Sequence, residues 1–181
     1  MTSYCDYCNN HPEDTFNQVY HETQYGFPLQ DDNLLFERLI LEINQAGLSW
    51  ITILKKADNF RSAYSRFDID KIASYDETDR TRLLSNAGII RNRLKVNAAI
   101  ENARRIQDLR TEYGSFKGWL DSHQPQTLEN WTKLFKRTFL FTGGEIVKEF
   151  LMSTGYLPGA HTPDCPIYEI VIAKRPAWYL G

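Results

Sequence analysis

Long apolar runs are missing from this chain of 181 residues. No stretch approaches the ~20 residues that cross a bilayer, which argues against a membrane-spanning helix. The first residues lack the pattern of a secretory signal, so the cytoplasm is the expected compartment. An excess of one charge is missing too. With 21 basic and 23 acidic residues and a net charge of -2, the chain is not one that coats nucleic acid by charge alone; the balance suits an enzyme that touches few phosphates. Lys55-Lys56, Arg91/Arg93/Lys95, Arg104-Arg105 and Lys133/Lys136/Arg137 form local basic patches, each expected to be a solvated helix face when taken singly. Internal repeats, low-complexity tracts and linkers are absent, so residues 1–181 are expected to form a single domain. Cysteine is scarce: three residues, which read alone as reduced thiols of a cytosolic protein.

What is present is helical periodicity, and the expected fold class is all-α. Asp31-Asp32 can cap a helix carrying Leu35, Phe36, Leu39, Ile40 and Ile43. Ser49 can begin a second helix with Trp50, Ile53 and Leu54, and a third is expected over about 58–66. Asp68 can cap a short fourth, and another runs near 77–86. A long helix is expected from Arg91 to about Tyr113, with Val96, Ile100, Ala103, Ile106 and Leu109 on or near its inner face. Shorter ones follow near 115–121 and 127–137, and a last over Gly144 to Thr154 with Gly155 as its stop. The β-branched run Ile170-Val171-Ile172 is too short to imply a sheet.

The few cysteines gain interest from their spacing to histidine. His161-Thr-Pro-Asp-Cys165 places two ligand types four residues apart, and Cys5, Cys8, His11 and His21 lie at the other end of the chain. Cys–His pairs from both ends can supply the four ligands of tetrahedral zinc and clip the termini together.

The densest signal is Leu41-Glu42-Ile43-Asn44-Gln45-Ala46-Gly47-Leu48-Ser49-Trp50. Glu42 falls in line with Leu35, Leu39 and Ala46 at helical spacing, so its carboxylate starts at the margin of the buried face and needs a partner there. Together with Tyr20-His21, Tyr25-Gly26, the following Ile51-Thr52-Ile53-Leu54-Lys55-Lys56 and Ala87-Gly88-Ile89-Ile90-Arg91, this segment closely resembles the 3-methyladenine DNA glycosylase I family of the helix-hairpin-helix DNA glycosylase superfamily. The resemblance is strongest over residues 20–105 and weaker from about 115 onward.

The resemblance implies a helix-hairpin-helix fold whose zinc-binding termini, 1–25 and 156–181, pack on a helical core of 30–155. It implies one structural Zn2+ per chain, with His21, His161, Cys165 and an N-terminal cysteine as ligands. Cys5 is favoured by its context, Cys-Asp-Tyr-Cys; Cys8, by its distance to His21, and His11 are the competitors. Four protein ligands leave no open position for water, so such a site stabilises the fold.

It further implies a pocket for a base rotated out of the duplex. Glu42 is the expected base-reading and catalytic residue, with Tyr20, Tyr25, Trp50 and Tyr7 around the base. N3-methyladenine carries positive charge in DNA, which aromatic faces attract. Tyr25 departs from the pattern, where relatives usually have Trp, and Tyr7 likewise replaces an N-terminal Trp. Gly47 and Leu48 are expected at the gap in the base stack, and Gly143 and Gly144 at a phosphate. Glu145, Lys148 and Glu149 depart from the neutral, aromatic and small polar residues usual on that helix.

The segment Tyr156-Leu-Pro-Gly-Ala-His161 contains no carboxylate, Asp164 lies between the expected metal ligands, and no lysine stands out as a Schiff-base nucleophile. The implied reaction is therefore simple hydrolysis of 3-methyladenine from double-stranded DNA, with the free base as product and a monomeric enzyme. A protein of the same fold that binds damaged DNA without cleavage, and a glycosylase with shifted alkylpurine preference, are the alternatives.

Overall fold

The computed structural model describes residues 3–179, and among them it contains eleven α-helices, two single-turn 3-10 helices and no strand. Two helices precede those expected from the sequence. α1 (Tyr4–Asn10) starts at a Ser3/Asp6 capping box, and α2 (Thr15–Thr23) is capped by Asp14. α3 (Asp32–Gln45) is the centre of the molecule and is buried continuously from Leu35 to Asn44 apart from Glu37. The two aspartates before it divide their work. Asp31 caps α3 through the Leu34 N–H at 3.0 Å, whereas the Asp32 carboxylate accepts the Phe116 and Lys117 N–H groups, both at 2.9 Å. Those are the first N–H groups of α8 (Phe116–His123), so Asp32 ties the two helix starts together.

α4 (Trp50–Ala63) replaces the two separate helices expected over this stretch. Asp58 and Asn59 both lie on the exposed side, so they interrupt the apolar pattern without breaking the backbone. The chain leaves α4 through a 3-10 turn at Ser65–Phe67, where all three residues have left-handed φ angles. α5 (Ile69–Ala73) is capped by Asp68 as expected, and α6 (Glu77–Ser85) by Asp76. α7 (Arg93–Tyr113) begins two residues later than expected, because Asn92 caps it, and ends at Gly114 with φ +78.

α9 (Leu128–Thr138) and α10 (Gly144–Ser153) flank the hairpin turn. Trp119, Trp131, Phe135, Phe139 and Phe150 meet beneath this turn with ring centroids 5.4–6.4 Å apart. Burying each such side chain contributes roughly 1.5–3 kcal/mol, which makes α8, α9 and α10 one stiff block. α11 (Pro166–Ala173) absorbs Ile170-Val171-Ile172 into a helix that Pro166 initiates at its first position.

The buried side chains form two clusters. The larger fills the space around α3; the smaller consists of Tyr20, Tyr25 and Ala160, with Tyr4, Leu54 and Met152 against it. Trp50 packs against both. Two backbone bonds add to this joint: Gly26 N–H to the Ser153 carbonyl at 2.9 Å, and Trp178 N–H to the Gly155 carbonyl at 3.3 Å. No helix among the described residues is long and apolar enough to cross a membrane.

Candidate functional site

A cleft of about 1170 Å³ opens where α1 and α2 face the end of α3, the start of α4 and the first turns of α10. Glu42, Tyr20, Tyr25, Trp50, Tyr7, Gly47, Gly143 and Gly144, all singled out in the sequence, line it. Leu48 does not line it, but lies beside it, 38% exposed.

Glu42 sits in the last turn of α3, 4% exposed. The partner that its sequence position demands is absent among the described residues. Arg38, one turn earlier, spends its guanidinium on the Ser153 carbonyl at 3.1 Å and lies over the Tyr20 ring at 5.2 Å. Burial therefore dominates, the nearby Glu149 charge adds to it and Arg38 only partly offsets both, so the Glu42 carboxyl is pushed up to about 8. Surrounded by its own protein at neutral pH, Glu42 is largely protonated.

The aromatic walls are already packed on one another. Tyr20 meets Trp50 edge-on at 5.1 Å and Tyr25 at 5.6 Å, and Tyr4 meets Tyr25 edge-on at 5.1 Å. Two of their polar atoms are buried without a partner: the Tyr20 hydroxyl and the Trp50 Nε1. Ser153, whose hydroxyl lies near Tyr20, donates instead to the Phe150 carbonyl. Tyr7 is a rim residue, 38% exposed, donating to Asp14 at 2.9 Å. Tyr4 went unnoticed in the sequence; the signal for it was the Ser3-x-x-Asp6 box that puts Tyr4 and Tyr7 one turn apart.

The two glycine turns stand at the mouth of the cleft. Gly47 has φ +81, with no atom within 4 Å of where a Cβ would be, so the backbone and not crowding calls for glycine there. Gln45 closes this turn, accepting the Leu48 N–H and donating its side-chain amide to the Leu48 carbonyl, both at 2.7 Å. Beneath the turn lies Lys95. Its Nζ donates to the Asn44 and Ala46 carbonyls, both at 2.8 Å, and is 6.0 Å from the Phe141 ring of the hairpin. Lys95 thus does not belong to a solvated basic patch: it is buried, while Arg91 and Arg93 are exposed. At the hairpin, Gly143 precedes α10, with nothing of the protein within 4 Å of a Cβ position, and Gly144 has only the Thr132 methyl at 3.9 Å. The spare room there is on the outside, where the free N–H groups of the first turn of α10 point. Lys148, noted in the sequence as a departure from the pattern, also lines the cleft.

Behind the aromatic wall, Cys5 from α1, His21 from α2, His161, and Cys165 at the start of α11 come together, all buried, with their ligand atoms within 4.8 Å of one another. Cys8 and His11 are elsewhere: Cys8 Sγ faces the Asn17 carbonyl at 3.8 Å, and His11 is exposed beside Glu13 at 3.2 Å. The sulfur–nitrogen separations in the cluster are 3.4, 3.6, 3.6 and 3.6 Å. A tetrahedral metal ion with bonds of ~2.3 Å to sulfur and ~2.0 Å to nitrogen puts these atoms ~3.6 Å apart, so the donor set and spacing fit such an ion. The other ring nitrogen of His161, Nε2, donates to the Tyr25 carbonyl at 2.7 Å, which leaves Nδ1 free to ligate. Burial lowers His21 to about 4 and also lowers His161, so both rings present neutral nitrogens at physiological pH. Gly26 completes the packing: with φ +83, a Cβ there would lie 2.8 Å from Ala160 Cβ and 3.2 Å from the His161 ring.

The family model for methyladenine glycosylase matches residues 9–168. DNA-3-methyladenine glycosylase 1 of Escherichia coli (strain K12) is 37% identical over 175 residues, spanning 86% of this chain and 93% of its own. 3-Methyladenine DNA glycosylase I from Staphylococcus aureus, a structure concerned with recognition of 3-methyladenine, superposes with a TM-score of 0.81 at 31% identity, covering 91% of this chain and 97% of its own. A Tyr-to-Phe variant of a 3-methyladenine DNA glycosylase I, crystallised with 3-methyladenine, gives a TM-score of 0.80 at 31% identity over 88% of this chain and 96% of its own. In sequence over nearly its whole length, and in an all-helical fold that superposes on solved members, this chain belongs to the methyladenine glycosylase family.

Proposed function

We infer that the chain is a base-excision DNA glycosylase that hydrolyses the N-glycosidic bond of 3-methyladenine in alkylated double-stranded DNA. One observation supports this above the rest: the Tyr20 hydroxyl and Trp50 Nε1 are buried without partners, Glu42 is buried with no salt bridge among the described residues, and all three residues line a single aromatic cleft. Buried polar atoms are normally satisfied. A flat cation with hydrogen-bonding edges satisfies these three and meets aromatic faces at the same time.

Glu42 reads the base, and Tyr20, Tyr25 and Trp50 enclose it, with Tyr7 and Tyr4 at the outer side. Gly47 and Leu48 meet the opened stack, and the free N–H groups after Gly143 and Gly144 meet a phosphate. As the C1′–N9 bond breaks, its electron pair passes to the methylated base and cancels the positive charge. The oxygen of a water molecule bonds to C1′ and gives up a proton, leaving an abasic sugar and neutral 3-methyladenine. Because the cation is already a good leaving group, binding and extrusion carry most of the catalysis, and no strong base is needed.

Cys5, His21, His161 and Cys165 hold one structural zinc ion, which joins the chain ends behind the wall that carries Tyr20 and Tyr25. The site is complete within one chain, which supports a monomer and residues 1–181 as one domain. Three buried free thiols suit the cytoplasm.

The test is release of free bases from methylated duplex DNA, with Glu42→Gln alongside and the DNA strand followed on a gel. The reading requires 3-methyladenine to appear, to be lost or strongly reduced with Glu42→Gln, and the strand to remain intact. Binding of methylated DNA without release would select the non-catalytic alternative, and a different spectrum of released bases would select the shifted preference. Strand scission with a borohydride-trapped adduct that disappears in Lys148→Ala would make the enzyme a lyase as well.

A further inference from the structure

The cleft contains a second carboxylate. Glu149 on α10 is half-buried and lines the cleft with Glu42. Its Oε2 accepts a hydrogen bond from the Tyr25 hydroxyl at 3.2 Å. Two of the positions at which the sequence departs from the pattern it resembles, Tyr25 and Glu149, therefore meet in space: the hydroxyl that a Trp would lack is the donor that orients the added carboxylate.

The remaining charged and titratable groups around this pair do not neutralise it. Arg38 of α3 is directed to the Ser153 carbonyl and the Tyr20 ring. Lys148 and Glu145 are neighbours on α10 itself, of opposite sign. Tyr20 from α2 and Tyr4 from α1 are phenols held neutral by burial. Neither Glu42 nor Glu149 makes a salt bridge among the described residues. The Glu149 charge opposes ionisation of Glu42, and burial opposes ionisation of both carboxyls.

Two carboxyls confined in one water-poor cleft discriminate by charge. A cation held beside them relieves their mutual repulsion and their desolvation together, whereas a neutral base of the same shape relieves neither. We propose that Glu149 is a second base-contacting residue which, held by the Tyr25 hydroxyl, makes this cleft select positively charged alkylpurines over neutral bases. The proposal rests on the glycosylase reading of the same cleft. It has a consequence for turnover: the base loses its charge when C1′–N9 breaks, so the two carboxylates favour the bound nucleotide over the freed base, and release of product is assisted.

The experiment uses the full, zinc-loaded chain as wild type, Glu149→Gln and Tyr25→Phe. One duplex contains 3-methyladenine; another contains its uncharged isostere with carbon in place of N3. For the first, kcat/KM of base release is measured; for the second, Kd. Glu149→Gln is expected to lower kcat/KM by about tenfold, the effect of ~1.4 kcal/mol, while the Kd of the neutral duplex stays within about twofold. Tyr25→Phe is expected to fall between wild type and Glu149→Gln. An equal loss on both duplexes would reduce Glu149 to a shaping residue and overturn the proposal, as would no loss on either. If the wild type releases no base, the glycosylase reading fails on its own. The Kd values of the charged and neutral duplexes then decide this proposal, which requires Glu149→Gln to shrink the preference for charge.

Discussion

Replacing Glu42 by Gln should stabilise the protein while destroying its activity, and the gain should grow with pH. The carboxyl is 4% exposed and its pKa is raised from the ordinary 4.5 to about 8. The folded chain therefore holds a proton that the unfolded chain releases, and the sign follows. The favourable contribution of the protonated group is complete below pH 4.5 and is lost as pH climbs through about 8. Integrated between these limits, ionisable Glu42 costs between about 1 and 2 kcal/mol at pH 5.5, about 3 at pH 7 and just under about 5 at pH 9. Gln has the same shape and does not titrate. Its amide adds a buried donor whose cost, ~1–3 kcal/mol when unmet, is the same at every pH, so the slope and not the offset tests the argument. Urea unfolding of zinc-loaded wild type and Glu42→Gln at pH 5.5, 7 and 9 gives the two stability curves directly. Their separation should shift in favour of the variant by about 3 kcal/mol across that range. A separation that stays flat, or a wild type that gains on the variant as pH rises, would mean that Glu42 is ionised and paired in the folded protein, and the reasoning about the cleft would fail with it.

Three further perturbations have expected outcomes. Chelation of the metal should lower Tm and release Cys5 and Cys165 to thiol reagents; Gly26→Ala, whose Cβ would press on Ala160 at 2.8 Å and on the His161 ring, should weaken metal affinity at least tenfold without touching a ligand, measured by competition with a zinc-binding dye. Lys95→Met should leave the Asn44 and Ala46 carbonyls unpaired and cost ~1–3 kcal/mol of stability. Because those carbonyls carry the Gly47-Leu48 turn, base release from DNA should fall while binding of free 3-methyladenine, followed by tryptophan fluorescence, stays near wild type.

Much of the helical order was legible because it is written in local chemistry. Asp31 and Asp68 each cap the helix that follows, and Gly155 ends one with a positive φ; the same chemistry at Asn92 and Gly114 bounds α7, which starts two residues later than expected. The misreadings came from elements whose identity is decided by packing. Asp58-Asn59 looks like a break until the rest of the helix is seen to turn that pair outward. Ile170-Val171-Ile172 has strand propensity, but Pro166 starts a helix four residues earlier and only Val171 of the three is buried. α1 and α2 have few buried residues to create a periodic signal; the side chains they do bury, Cys8 apart, are Cys5 and His21 of the cluster and Asn17 and Tyr20 of the cleft wall.

The cleft was legible to a different extent, because recognition of a residue type at a position says nothing of what stands opposite it. Glu42 was visible as a carboxylate in need of a partner, yet the decisive fact is that Arg38, the cation nearest to it on the same helix, is turned to the Ser153 carbonyl. Lys95 was visible as one of several basic residues, yet burial under the Gly47 turn gives it a task unlike that of Arg91 or Arg93. Glu149 and Tyr25 were each visible as departures, 124 positions apart in the chain, and only the fold makes them a pair. In all three cases the missing information is long-range and electrostatic. The same unmet groups that make this cleft costly to fold are the ones a cationic base would satisfy, so stability given up at Glu42 and Glu149 is returned on binding. That coupling predicts that a charged ligand should stabilise the wild type more than Glu42→Gln at pH 9 and nearly equally below pH 5, where Glu42 is already protonated.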